Sequence, residues 1–249
     1  MVEMKSDSEI AQMREAGKIV AEVLARVEEK IKPGITTGEL DRLADETIAA
    51  RGAQPAFKGY RGFPATLCTS VNEQVVHGIP GTRVLTEGDI ISIDCGVLLN
   101  GFYGDAAKTF AVGQISEDKQ NLLTVTEQSL MMGISKVAIG NRLSDISAAI
   151  QIYVEEKGMS VVRDYTGHGI GRQLHESPEV RNFGRPGRGP RLEKGMVLAI
   201  EPMVNLGVYQ VNIERDKWTV ITKDRMPSAH FEHTVAVTEN GYDILTLLE

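Results

Sequence analysis

The spacing of apolar residues changes character along this chain, and the changes divide it. Ile10, Met13, Gly17, Val20, Ala21, Leu24, Val27 and Ile31 recur at helical intervals, which predicts an amphipathic helix opened by Ser6, Asp7 or Ser8 and stopped by Pro33-Gly34. Leu40, Leu43, Ala44, Thr47 and Ile48 form a second stripe ending at Arg51-Gly52. It follows Thr36-x-x-Glu39, a spacing at which each side chain caps the other's backbone amide. From Ala65 to Val112 the pattern shortens into β-rich runs at 66–71, 89–99 and 107–112. Asn100-Gly101 separates two of them, and because both residues tolerate positive φ the pair predicts a hairpin turn. The order then recurs. Residues 118–136 read as a helix with Leu122, Val125, Leu130 and Ile134 inward, and 143–157 as another capped by Ser144. Strand-like runs follow, including 197–200, 218–222 and 233–237, interrupted by a Gly-, Pro- and Arg-rich segment at 177–190 that predicts an exposed loop beside the site.

Two of these runs are alike. Gly88-Asp-Ile-Ile-Ser-Ile-Asp94 aligns without a gap on Gly195-Met-Val-Leu-Ala-Ile-Glu201, an offset of 107 residues, each behind a glutamate (Glu87, Glu193). Such a period is far longer than that of a solenoid repeat, so it predicts two similar halves facing each other across a seam. His77-Gly-Ile and His168-Gly-Ile give a weaker echo. Both long runs end in a carboxylate, which predicts acids at the exits of buried strands. If Asp94 and Asp105 sit on opposite arms of a hairpin turning near Asn100, they face each other at about 4.5–5.5 Å between Cβ atoms, and carboxylates that close repel unless a cation lies between them.

Composition narrows the possibilities. The 249 residues are 42% hydrophobic and 24% charged, ordinary for a globular chain. The net charge of −7 disfavours a partner held through phosphate contacts. The segment opening Met1-Val-Glu-Met-Lys carries acids where a signal peptide needs an apolar core, and no run reaches the length of a membrane span; a cytoplasmic protein is expected. Cys68 and Cys95 have no zinc-type spacing and read as free thiols.

The chemistry gathers in Asp94, Asp105, His168, Glu201 and Glu232. Four carboxylates with one imidazole suit Mn, Fe, Co, Zn or Mg rather than a thiolate-seeking metal. Two divalent ions balance four carboxylates and bring a bridging hydroxide within reach of neutral pH. No Gly-Xaa-Ser-Xaa-Gly elbow and no phosphate-binding glycine loop offers an alternative. His168 stands between glycines, His175 follows a short loop later, His77 lies in Val-His-Gly-Ile-Pro, and His230 and His233 flank Glu232.

The runs Tyr60-Arg-Gly-Phe-Pro, Cys68-Thr-Ser-Val-Asn-Glu, Val76-His-Gly-Ile-Pro, Ser92-Ile-Asp-Cys-Gly, Gly101-Phe-Tyr-Gly-Asp, Gly167-His-Gly-Ile-Gly, Ile200-Glu-Pro-Met and Phe231-Glu-His-Thr resemble those of the type I methionine aminopeptidases, in order and over nearly the whole chain. The resemblance implies an α+β pita-bread fold of two pseudo-symmetric halves, a curved antiparallel sheet covered by helices around a central dimetal site, with residues 1–249 forming a single catalytic domain. It implies removal of an N-terminal methionine that precedes a small residue. By resemblance Asp94 chelates one ion, His168 and Glu201 hold the other, and Asp105 and Glu232 bridge them, the ions being Co, Mn, Fe, Zn or Ni. Glu201 also shuttles a proton, His175 polarises the scissile carbonyl, and His77 bonds the peptide nitrogen beyond it. The methionine pocket would draw on Tyr60, Phe63, Cys68, Leu174 and Trp218. Leu174 and Phe63 depart from the aromatic and the tyrosine common there. Asn72 and Ser228 resemble a monovalent-cation site. Nascent polypeptides are the implied partners, met by a monomer in transient contact with ribosomes, with no DNA and no membrane. The type II enzymes carry a helical insertion and the prolidases a further N-terminal domain, neither of which is seen in this sequence. Metal-free relatives that bind peptides, ribosomes or RNA lose ligands, whereas all five stand here.

Overall fold

A computed structural model of the chain describes residues 2–248. Helix α1 spans Asp7–Glu28, and its capping box joins Ser6 and Glu9: the Ser6 amide donates to Glu9 Oε2 at 2.7 Å. It ends at Glu28, before Pro33-Gly34 is reached, so Ile31 lies beyond the helix. Helix α2, Thr37–Ala50, opens on the expected reciprocal cap between Thr36 and Glu39. Helices α3, Glu117–Ile134, and α4, Leu143–Glu156, repeat the pair. The cap on α4 differs from expectation. Asp145 accepts the Arg142 amide at 2.7 Å, whereas Ser144 lies inside the first turn, where its hydroxyl exchanges hydrogen bonds with the Arg188 backbone at 2.6 and 2.8 Å.

Strands Ile90–Leu99 and Phe102–Ala111 form the long hairpin, turning at Asn100-Gly101 with φ of 50° and 83°. The second arm starts five residues before the expected 107. Gly104 and Asp105 are poor strand formers, but tertiary contact overrides them: a Cβ on Gly104 would lie 2.8 Å from the Gly17 amide of α1, so the helix crosses the strand on two glycines. Leu67–Val71 pairs on the other side of the 90–99 strand. Along that strand Ile91, Ile93, Cys95 and Val97 point outward into a core shared with α1 and α2, each aliphatic side chain contributing about 1.5–3 kcal/mol by leaving water. Ser92, Asp94 and Gly96 alternate to the inner face. Asp94 is thus mid-strand, not at an exit as the sequence suggested.

The second half holds a five-stranded antiparallel sheet in the order Gly241–Ile244, His233–Thr238, Val197–Ile200, Gly167–Gly169, Glu176–Val180. α3 and α4 contribute to its core. The segment 177–190 is therefore only partly loop; its start pairs with the 167–169 strand, Asn182 is buried, and the arginine-rich stretch 185–190 is exposed. Ser228–His230 pairs with Met203–Asn205.

The repeat is written in backbone bonds. Thr37 N donates to Arg83 O at 3.0 Å and Leu85 N to Ile35 O at 2.8 Å; in the second half Leu143 N donates to Pro190 O at 3.0 Å and Leu192 N to Asn141 O at 2.8 Å. Gly88 and Gly195 open the matching strands with φ of 88° and 90°. The fold is a pita bread of two such halves. No helix among the described residues is long and apolar enough to cross a membrane.

Candidate metal centre and substrate pocket

The halves meet through three matched contacts. The Asp105 amide donates to Thr234 Oγ1 at 3.1 Å, Glu232 N donates to Ala107 O at 2.8 Å, and Thr109 Oγ1 donates to the His230 carbonyl at 2.8 Å. This seam lays the 102–111 strand antiparallel to residues 230–234, and the acids project from it.

Asp94 pairs with Ala107 and Asp105 with Gly96. The two aspartates are therefore diagonal neighbours on one face, not directly opposed. Asp94 also pairs with Cys68, so side-chain alternation puts that thiol on the cleft face as well. His168 lies at a register shift in its strand pairing. Its Nδ1 faces the Gly169 carbonyl at 2.9 Å, an arrangement that keeps the proton there and leaves Nε2 a free lone pair. That Nε2 stands 3.5 Å from Glu201 Oε1. Asn182, fully buried, donates to the Glu201 carbonyl at 2.9 Å and fixes the end of the 197–200 strand.

Two groups of ligand atoms, those of Asp105, His168 and Glu232 and those of Glu201, His230 and Glu232, each lie within 4.8 Å of one another. Asp94 Oδ1, Asp105 Oδ1, Glu232 Oε1 and His230 Nε2 are buried with no hydrogen-bond partner. Buried polar atoms are seldom left so, and converging carboxylate and imidazole atoms are what a divalent cation requires; the donor set fits one. Burial is the main cause that pushes all four carboxyls up, Asp94 to about 7, when no cation offsets the loss of water. The same burial pushes imidazoles down, His168 to about 3 and His77 and His175 to about 4, so at neutral pH they are uncharged.

A cavity of about 140 Å³ opens onto these groups. It is smaller than the roughly 300 Å³ at the low end for drug-sized ligands, a space for one side chain with its amino and carbonyl groups. Tyr60, Phe63, Cys68, His77, Leu174, His175 and Trp218 line it together with all five acidic and imidazole ligand candidates. Phe57 and Arg61 line it too, unforeseen from the sequence. Phe57 occupies the space Gly96 leaves, since a Cβ there would lie 2.6 Å from its ring. Phe63 meets Trp218 edge-on at 5.2 Å. His175 stacks on Tyr60, with Nδ1 3.0 Å from the phenol, and its ring is 4.1 Å from that of His168. His77 carries a left-handed φ of 60°, and a Cβ on the next residue, Gly78, would lie 2.2 Å from the Thr69 carbonyl. The loop bearing Leu174 and His175 is clamped from below: Glu176 accepts Gln173 N at 3.0 Å and the buried Lys5 ammonium. Burial holds the Cys68 thiol well above its usual range, reinforced by Asp94. Asn72 and Ser228 lie outside this cavity, joined by Ser228 N donating to Asn72 O at 2.9 Å, while Lys119 donates to Asn72 Oδ1 at 3.0 Å.

Residues 11–239 match the profile of metallopeptidase family M24. The chain is 59% identical to a methionine aminopeptidase of Clostridium acetobutylicum and 56% identical to methionine aminopeptidase 1 of Bacillus subtilis, with 100% and 99% of both partners aligned respectively. It superposes on the crystal structure of methionine aminopeptidase from Rickettsia prowazekii with a TM-score of 0.98 at 44% identity, over 99% of this chain and 100% of that one.

Proposed function

The chain belongs to metallopeptidase family M24, and from that premise we propose that it is a methionine aminopeptidase, removing an N-terminal methionine that precedes a small residue. The observation that supports this most is the single small cavity onto which the unpartnered acids, the three imidazoles and an apolar wall all open. In this reading Asp94 holds one divalent ion, His168 and Glu201 the other, and Asp105 and Glu232 both, with Co, Mn, Fe, Zn or Ni as the candidates. Such ions supply a water acidified from pKa 15.7 towards about 7 and a polarised carbonyl.

The protein's own groups do the rest. Tyr60 donating to His175 Nδ1 keeps the imidazole proton on Nε2, where it serves as donor to the oxygen that gains charge at the scissile carbonyl. His77, neutral, bonds the peptide nitrogen beyond the scissile bond. Glu201, a buried carboxyl with a raised pKa, moves a proton from the attacking side to the leaving amine. Tyr60, Phe63, Cys68, Leu174 and Trp218 receive the methionine side chain; Cys68, protonated, is wall rather than nucleophile. A monovalent cation at Asn72 and Ser228, one catalytic domain, and cytoplasmic action as a monomer on nascent chains in transient contact with ribosomes complete the proposal.

Three peptides test it. With Mn, Fe or Co supplied, Met-Ala-Ser should be cleaved, Met-Lys-Ser poorly and Ala-Pro-Ser not at all. Preference for Ala-Pro-Ser, or no turnover of any of them, would refute the reading.

A further inference from the structure

We propose that His230 is a second imidazole of the metal centre, holding an ion together with Glu201 and Glu232. In sequence it flanks Glu232, and the ligand set above does not use it. Its backbone is fixed: the amide donates to Thr109 Oγ1 at 2.9 Å, the same hydroxyl donates to its carbonyl at 2.8 Å, and the residue pairs with Met203. The residue is 1% exposed, and Nε2 has no hydrogen-bond partner.

That nitrogen lies 3.6 Å from Glu201 Oε2. The separation exceeds a hydrogen bond. It matches two ligand atoms on one tetrahedral ion, which at bonds of 2.0–2.1 Å stand about 3.4 Å apart. His168 Nε2 keeps the same spacing, 3.5 Å, to the other oxygen, Oε1. Glu201 is therefore held between two imidazoles, one per oxygen. The two groups of close ligand atoms share Glu232 and contain one histidine each. Each ion then has its own imidazole, with Glu232 common to both and Glu201 reaching from the His168 ion to the His230 ion through its second oxygen.

The inference rests on the dinuclear reading of the site, and the experiment separates the two. The full chain is loaded with zinc, its ions are counted by calorimetry, and imidazoles per zinc are counted by X-ray absorption. We expect two ions with about one imidazole per zinc. His230→Gln, close in shape, should lower the count to about one half and weaken the second ion at least about tenfold. Two ions with one half imidazole per zinc in the parent would overturn the assignment to His230 and leave the dinuclear reading standing. Binding of no ion would defeat both. An unchanged count and affinity in His230→Gln would also overturn it. The parent's own count decides the matter where the variant does not fold, since His168 alone accounts for only one half.

Discussion

In the N-terminal half both candidate ligands stand inside a regular hairpin of two ten-residue strands, Asp94 opposite Ala107 and Asp105 opposite Gly96. In the C-terminal half His168 sits at a register shift, Glu201 follows a four-residue strand, and Glu232 precedes another. The same backbone clasp closes both halves, so the difference lies in what each does with its strands. A side chain in mid-ladder is fixed by pairing on both flanks, whereas one at a bulge or strand end can be re-aimed. The first half thus supplies two rigidly held acids as a floor, and the second supplies two further acids, His168 and the loop that carries Leu174 and His175 to the cavity.

The largest expected effect tests the floor. Asp105 comes from the half that cannot adjust, so Asp105→Asn should lose metal and turnover together, by roughly 10³-fold or more in rate, because a bridging ligand serves both ions. Calorimetric titration with Mn measures it. Two sites of parental affinity in the variant would show that the floor does not bridge.

His175 belongs to the adjustable half and should behave differently. His175→Ala should lower kcat by roughly 10²- to 10³-fold, the usual cost of one oxyanion donor, while metal analysis still finds the parental content. His168→Ala should instead lose metal. A reversed pattern of metal loss between these two histidines would break the division of labour between neighbours whose rings are 4.1 Å apart.

The carboxyls and the imidazoles of the site also pull stability in opposite directions with pH. Asp94 titrates near 7 in the ion-free fold against about 4 unfolded, so its contribution to stability is complete below about 4 and is lost as pH rises through 7. The C-terminal His168, lowered to about 3, contributes above about 6.5 and is lost as pH falls towards 3. Melting curves of metal-stripped protein should therefore carry an alkaline limb from pH 6 to pH 8 to which Asp94 contributes the equivalent of about 1.4 kcal/mol. Asp94→Asn should make that limb shallower by that amount, Asp105, Glu201 and Glu232 carrying the rest, whereas His168→Gln should not make it shallower. An alkaline limb of unchanged depth in Asp94→Asn would place the cost elsewhere.

Much of this was legible, and the misses have particular causes. The ligand motifs and the repeat were readable because each strand carries its acid at a fixed distance from a turn glycine. The diagonal register of Asp94 and Asp105 follows from a two-residue turn, which pairs Leu99 with Phe102 and so Asp94 with Ala107; a turn placed loosely near Asn100 hides it. His230 does not stand out in the sequence, because His233 looks equivalent on the other side of Glu232. In extended chain, residues two apart share a side and adjacent ones do not. His230 therefore goes with Glu232, while His233 turns away to Thr246 at 2.9 Å. The Lys5 clamp had no sequence signal, since it joins residues far apart in the chain.

The smallest expected effect belongs to Cys68, which links the two halves' tasks because its thiol stands across the ladder from Asp94 yet lines the apolar pocket. Burial keeps it protonated, so it contributes volume and apolar surface rather than charge. Cys68→Ser changes that volume little, and turnover of Met-Ala-Ser should stay within about tenfold of the parent, a cost of about 1.4 kcal/mol or less. Cys68→Phe fills the cavity instead, and should raise KM or abolish cleavage while metal content is unchanged, because Asp94 is held by the ladder and not by the thiol. Steady-state kinetics with parallel metal analysis separate these outcomes. If Cys68→Phe cleaves with a parental KM, the methionine side chain does not reach this wall; if it loses metal, the floor is less rigid than its ladder implies.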